Sequence, residues 1–226
     1  MQSNGSQFKE FIERVSGDLR SGDEDTKAKF LDAFGDDLEG YVSATATALG
    51  LWDRFRNGIR DEDSRGIAVA GIAFTAINAH MQSFKLFMSG YTVASGGLFR
   101  LVLEGISLAA LSSVKTLPML ERYLAERYSP NDAVRDLVRH QKIARVRADG
   151  VRTVSAQYKA YHKYAHLTIG AIIAGANLSE GGVPHVGPLF DPARLAEYGR
   201  EFRSRISFSR LLPNFITGVA RNVAAW

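Results

Sequence analysis

The stretch Ser64-Arg-Gly-Ile-Ala-Val-Ala-Gly-Ile-Ala-Phe-Thr-Ala-Ile-Asn-Ala-His-Met81 decides the fold of this chain. Seven of its eighteen residues are glycine or alanine, and most of the others are apolar. The acidic run Asp61-Glu-Asp63 comes directly before it and suits the positive end of a helix dipole. A helix that is apolar on all sides is buried in a larger core. We therefore predict a central buried helix from Ser64 to about Met88.

The rest of the chain also has the pattern of helices. All six prolines follow residue 117, and apolar residues recur at helical spacing through long proline-free tracts. We find no alternating strand pattern, no fixed-period repeat and no glycine-rich phosphate loop. The sequence therefore predicts an all-α bundle of six to nine helices. The predicted helical tracts are 7–19, 26–55 (one or two helices), 64–88, 98–111, 117–127, 130–148, 151–165, 167–177 and 193–223.

Composition excludes several classes of protein. With 46% hydrophobic and 23% charged residues, the 226-residue chain has ordinary globular composition. It contains no cysteine, which excludes disulfides, thiolate zinc sites and a cysteine nucleophile. Met1 to Glu13 is polar, so we expect no secretory signal. The longest apolar stretches, 67–78 and 167–177, are shorter than the roughly 18 residues of a membrane span. We expect a soluble, cytoplasmic protein with no membrane partner.

Charge divides the chain into an acidic leading section and a basic body. Residues 1–63 carry 8 Lys and Arg against 14 Asp and Glu, whereas residues 64–226 carry 20 against 10. We assign residues 1–63 to acidic N-terminal helices and 64–226 to a main basic bundle, the two forming one compact unit. The split indicates either a body that binds a polyanion or two oppositely charged surfaces that pack together.

The first candidate site is the pair Arg100 and Glu104. These residues are four apart on an otherwise apolar helix, where a charged pair is costly unless it has partners. One interpretation is a buried brace that fixes helix register. The other is a site in which Arg100 grips an anionic group while Glu104 orients it or a histidine.

The second candidate is a tyrosine and histidine cluster in Tyr158-Lys-Ala-Tyr161-His162-Lys-Tyr164-Ala-His166. On a helix, His162 and His166 share one face, and Tyr158 lies one turn below. Histidines there can act as acids or bases near neutral pH, with tyrosine hydroxyls as orienting donors, or they can simply pack at a helix end. No carboxylate motif accompanies the histidines, so we predict no metal and no cofactor.

Basic residues form the third candidate. Arg135, Arg139, Lys142 and Arg145 follow one side of the predicted helix 130–148 and can neutralise phosphates. Arg135 and His140 also have an Arg-x4-His spacing, although one such spacing arises by chance in a chain of this composition. The stripe can equally balance the acidic leading section. Further basic residues lie in the predicted last helix: Arg200, Arg203, Arg205 and Arg210. His185 is a lone histidine in a Gly/Pro-rich loop, residues 181–188.

Two of these features together resemble a known family. Phe99-Arg100-Leu-Val-Leu-Glu104, followed about 60 residues later by Tyr164-Ala-His166-Leu-Thr168, resembles a group of bacterial all-helical proteins related to HEPN-like domains. Its features are an Arg-x3-Glu helix and a later helix that ends in a Ser-x3-His pattern. The resemblance covers about residues 65–180, and Tyr161 or His162 stands where the family often has serine. It implies a HEPN-like bundle, a bacterial toxin or phage-defence context, and ribonuclease activity.

The leading hypothesis is therefore a HEPN-like, dimeric or larger protein that binds or cleaves RNA without a metal, with an antitoxin or defence protein as a further partner. The roles implied are acid or base for His166 with His162 as alternate, phosphate clamp for Arg100, orienter for Glu104 and supporting donor for Tyr161. Two alternatives stay open. One is a non-enzymatic helical interaction module, and the other is a bundle that binds a small ligand in a cavity beside the small-residue helix.

Overall fold

The computed structural model describes residues 3–20, 22–165 and 168–226, and it confirms the all-α bundle. Within these residues, nine helices have eleven residues or more and two have six. Three short 3-10 turns and one pair of two-residue strands complete the secondary structure of this part of the chain. The helices are α1 (Ser3–Arg20), α2 (Glu24–Phe34), α3 (Leu38–Asn57), α4 (Ser64–Met88), α5 (Thr92–Ser112), α6 (Met119–Leu124), α7 (Pro130–His140), α8 (Ala148–Ala165), α9 (Ile169–Ala174), α10 (Leu195–Ser209) and α11 (Leu212–Ala224).

The predicted central helix is α4, and its contact with α5 is the most extensive between two helices in the described part of the chain. Asp63 caps its start by accepting a hydrogen bond from the Gly66 amide at 2.9 Å. Small residues set the distance between the two helices, because a Cβ at Gly105 would lie only 3.1 Å from the Cβ of Ala76. The buried alanines of α4 and α5 therefore bring two backbones together in the core.

The remaining helices surround this pair. Helices α7 and α8 pack on α5, whereas α3 packs on α4, α10 and α11. A second aromatic core joins α2, α3, α4 and α10, where Phe30, Phe87 and Tyr198 are in ring contact. Helix α3 belongs to the acidic leading section by sequence, yet it packs directly on the basic body.

Several details differ from the prediction. Helix α5 begins at Thr92 rather than near residue 98, and α6 and α9 are shorter than the predicted tracts 117–127 and 167–177. Helix α7 ends at His140 rather than near residue 148, and Arg145 in the following connection has a positive φ of 55°. The predicted last helix, 193–223, is two helices with Pro213 in the first turn of α11. Short strands β1 (Ala176–Asn177) and β2 (Val183–Pro184) pair antiparallel across the Gly/Pro-rich loop, where no strand was expected.

By length and composition alone, α4 and α5 are each able to cross a membrane. Each helix contains an 18-residue segment of high mean hydropathy that includes a few polar residues. The sequence prediction considered only uninterrupted apolar stretches and therefore missed these segments. About half of each segment is buried inside the bundle (50% in α4 and 56% in α5). Core helices of soluble proteins pass the same test, so this is weak evidence for a membrane. The cytoplasmic location stays a prediction.

Candidate functional site

The candidate site is built on Arg100 and Glu104 of α5. The Arg100 Nε donates to Glu104 Oε1 at 3.0 Å, one helical turn away. Each side chain is 14% exposed, so the pair is neither sealed in the core nor fully solvated. It lies where α5 meets α7 and α8, and those two helices supply its other partners.

Helix α8 contributes Tyr158. Its ring lies under the guanidinium, with Arg100 Cζ 4.9 Å from the ring centroid, in a cation–π arrangement. Its hydroxyl accepts from Arg100 Nη2 at 2.7 Å and can donate to Glu104 Oε1 at 3.1 Å. Burial and the negative charge of Glu104 raise the pKa of Tyr158 above its usual value. The phenol is therefore protonated at neutral pH and serves as a hydrogen-bond donor.

The start of α7 contributes Asn131. Ser129 caps this helix, because its Oγ accepts a hydrogen bond from the Asn131 backbone amide at 3.3 Å, and Pro130 occupies the first turn. The Asn131 Oδ1 accepts from Arg100 Nη2 at 3.2 Å and also contacts the Tyr158 hydroxyl. The start of an eleven-residue helix therefore lies beside the cluster. The partial positive charge at the start of a helix attracts anions.

His162, one turn after Tyr158 on α8, completes the exposed edge. Its Nδ1 lies 3.3 Å from Arg100 Nη1. An arginine N–H can only donate, so Nδ1 is the acceptor, and the proton of a neutral ring lies on Nε2. His162 and Asn131 are both exposed, so this edge of the cluster is accessible to a ligand.

The guanidinium of Arg100 is the common partner of this cluster, which we call the Arg100 cluster: Arg100, Glu104, Asn131, Tyr158 and His162. Its Nε contacts Glu104, its Nη1 contacts His162, and its Nη2 contacts both Asn131 and Tyr158. These contacts tie three helices together. They also hold the side chain in one orientation.

Of the five residues predicted to be catalytic, the structure brings together Arg100, Glu104 and His162. Tyr161 points elsewhere and is 3% exposed, where its hydroxyl donates to Glu201 and its ring packs 4.6 Å from that of Phe99. His166 lies outside the described residues. Asn131 was not predicted as a site residue. It lies just after the Ser129 cap, and nothing in the sequence indicates that it contacts Arg100, which is 31 residues earlier.

The predicted basic stripe is not continuous. Arg135 and Arg139 lie on α7 and pair with acidic residues of the same helix, Asp132 at 2.9 Å and Asp136 at 3.1 Å respectively. Lys142 and Arg145 are exposed but follow the end of α7, so helical spacing does not align them with the first two. Arg135 and Asp136 therefore belong to a network of ion pairs on the surface of α7, rather than to an unpaired cationic face.

A second polar cluster is buried. Arg205, expected on a basic surface, is completely buried, and it donates to Glu201 at 2.8 Å and to Ser95 at 2.7 Å. Its guanidinium also lies 4.8 Å from the ring centroid of Phe99. Burial opposes its charge, but Glu201 raises the pKa of Arg205 above its usual value. Arg205 therefore braces the core as a cation, and no pattern in the sequence separates it from the exposed arginines of α10.

No family model matches the chain, and no curated protein or solved structure is significantly similar to it. The resemblance to HEPN-like domains thus stays a prediction. Within the described part of the chain, no three histidine or acidic side chains come close enough to form a metal site.

Proposed function

We propose that this protein binds RNA and cleaves it at the Arg100 cluster. The observation that carries the proposal is the position of Arg100, which is held beside His162 and the start of α7 at an accessible edge of the bundle. A fixed guanidinium and the positive end of a helix both favour a phosphate. The excess of basic residues in 64–226 supports a polyanion as the partner.

The cluster contains an arginine, a tyrosine and a histidine, which are groups that metal-independent RNA cleavage uses. In this reaction the ribose 2′-oxygen attacks the neighbouring phosphorus and loses its proton to a base. The 5′-oxygen leaves with a proton from an acid, and a 2′,3′-cyclic phosphate remains. Arg100 would stabilise the charge that develops on the phosphate, and the protonated Tyr158 can donate to one of its oxygens.

Histidines would move the protons. His162 is within reach of a phosphate bound at Arg100, because its Nδ1 lies 3.3 Å from Arg100 Nη1. His166 follows four residues later and is the proposed second proton carrier on the basis of the sequence alone. The resemblance to HEPN-like domains supports the biological setting that we propose, a homo-oligomeric bacterial toxin or defence protein of the cytoplasm that acts with a partner protein.

One observation favours a second function, a non-enzymatic interaction module. Every described polar partner of Arg100 belongs to α5, α7 or α8, so the cluster can act purely as a brace between helices. In that case the charged surfaces would serve protein partners, and the histidines would have no chemical role.

A growth assay with RNA analysis separates the two functions. We would express the wild type, Arg100→Ala, His162→Ala and His166→Ala, with His185→Ala as a histidine control in the Gly/Pro-rich loop. We expect the wild type and the control to halt growth and to produce RNA fragments with cyclic phosphate ends. Loss of a proton carrier should reduce purified cleavage activity by about 100-fold or more.

The variants must remain folded, which circular dichroism checks. Equal cleavage by His162→Ala, His166→Ala and the wild type would contradict the proposed chemistry. Intact RNA and normal growth with every folded variant would place the interaction module first.

A further inference from the structure

An apolar groove lies directly beside the Arg100 cluster. It has a volume of about 340 Å³ and lies between α4, α5, α6 and the start of α7. The small residues of α4 create it, because no heavy atom lies within 4 Å of a Cβ built at Gly71. The groove is lined mainly by apolar side chains, with one aromatic ring on its wall; among its lining residues are Gly71, Ile72, Thr75, Leu101, Gly105 and Tyr123.

The groove and the cluster share two walls. On α5, Leu101 and Gly105 line the groove, while Arg100 and Glu104 are the residues just before them in the sequence. Successive residues of a helix are rotated by about 100° about its axis, so these two pairs occupy adjacent faces. On α7, Pro130 lines the groove and the next residue, Asn131, contacts Arg100. The groove and the cluster are therefore neighbours on both helices.

We propose that this groove holds a nucleobase of the RNA strand whose phosphate binds at Arg100. The inference rests on the proposed function, and it adds a base-binding site to the phosphate site. The volume is within the range of small-molecule sites, about 300–1,000 Å³. The half-buried ring of Tyr123 offers a stacking surface, and the neighbouring cluster provides the polar contacts that such a pocket itself lacks.

Filling the groove tests this directly. Gly71→Leu places a side chain in the open space and replaces a helix-interior glycine, so the fold should tolerate it. Gly50→Leu is the matched control, since Gly50 is also an interior helix glycine with open space at its Cβ and does not line the groove. Binding would be measured by fluorescence anisotropy with a short labelled oligoadenylate and with an abasic oligomer of the same length.

We expect Gly71→Leu to weaken binding of oligoadenylate by about tenfold, as for the loss of one stacked base. Binding of the abasic oligomer should not change, and Gly50→Leu should bind both probes as the wild type does. Arg100→Ala should weaken both probes, because both present phosphates.

Other outcomes overturn one idea or both. If Gly71→Leu binds oligoadenylate as tightly as the wild type, or if the wild type binds both probes equally, the groove holds no base, although RNA binding stands. If the wild type binds neither probe, the proposed function and the base site both fail.

Discussion

His80 is a fully buried histidine of α4, next to the buried Arg205. Ser209 donates its hydroxyl hydrogen to the Arg205 carbonyl oxygen at 2.9 Å, so its oxygen accepts from His80 Nε2 at 2.7 Å. His80 Nδ1 has no hydrogen-bond partner among the described residues. Burial, and then the positive charge of Arg205, lower the pKa of His80 to about 3. The folded protein therefore holds this ring in its neutral form.

This residue makes stability depend on pH. In the unfolded chain the histidine pKa is about 6.5, so the unfolded state takes up a proton first as the pH falls. The contribution of the neutral His80 ring to the free energy of unfolding is fully present above pH 6.5. As the pH falls toward 3, this contribution is lost by up to about 1.4 kcal/mol per pH unit. Urea unfolding between pH 7.5 and 4.5 should show this slope for the wild type and for His185→Gln. His80→Gln should flatten it, and an unchanged slope in that variant would contradict the assignment.

At the scale of elements, the contact between α5 and α8 depends on a glycine. A Cβ at Gly96 would lie 2.3 Å from the Tyr164 ring, whereas a Cβ at the next residue, Gly97, would have no neighbour nearer than 3.7 Å. Helix α8 carries Tyr158 and His162, so this close approach helps to place two residues of the Arg100 cluster against α5.

These adjacent glycines make a matched pair of variants. Gly96→Ala should destabilise the protein by about 1–3 kcal/mol, because the added methyl group overpacks the interface with Tyr164. Gly97→Ala should be neutral or stabilising by up to about 1 kcal/mol, because alanine favours the helix and finds room. Chemical unfolding of both variants decides the point. Equal stability changes in the two variants would show that the packing of α8 against α5 does not require glycine at position 96.

For the whole molecule, the pairing of surface charges matters more than their number. Arg135 is 61% exposed but lies beside Asp132 and Asp136, whereas Lys142 and Arg145 form no ion pair with a described residue. If RNA binds this surface, the unpaired cations should carry more of the salt dependence.

We expect Lys142→Gln and Arg145→Gln each to reduce the slope of log binding constant against log salt by about 0.7, the value for one phosphate of a single strand. Arg135→Gln should reduce it less, because its charge is already compensated by Asp132 and Asp136. Titrations of a labelled RNA at several salt concentrations measure the slopes. A reduction for Arg135→Gln as large as that for Arg145→Gln would contradict the pairing argument.

Several local features could be predicted from the sequence because they depend on neighbouring residues. The start of α4 after Asp63, the burial of its alanines and the start of α7 at Ser129-Pro130 each follow from local helix chemistry. Two of the predicted site residues, Arg100 and Glu104, are also a local pair, and their contact follows from a separation of one helical turn.

The sequence by itself thus determined the all-α class, the central helix and the pairing of Arg100 with Glu104, since each depends on residues within a few positions of one another. Only the tertiary structure decided that His162 and Asn131 meet Arg100 while Tyr161 turns to Glu201. It also decided that Arg205 is buried and that the small residues of α4 leave a groove beside the cluster. These outcomes depend on how helices far apart in the sequence pack, and helical periodicity does not specify which face of one helix meets which face of another.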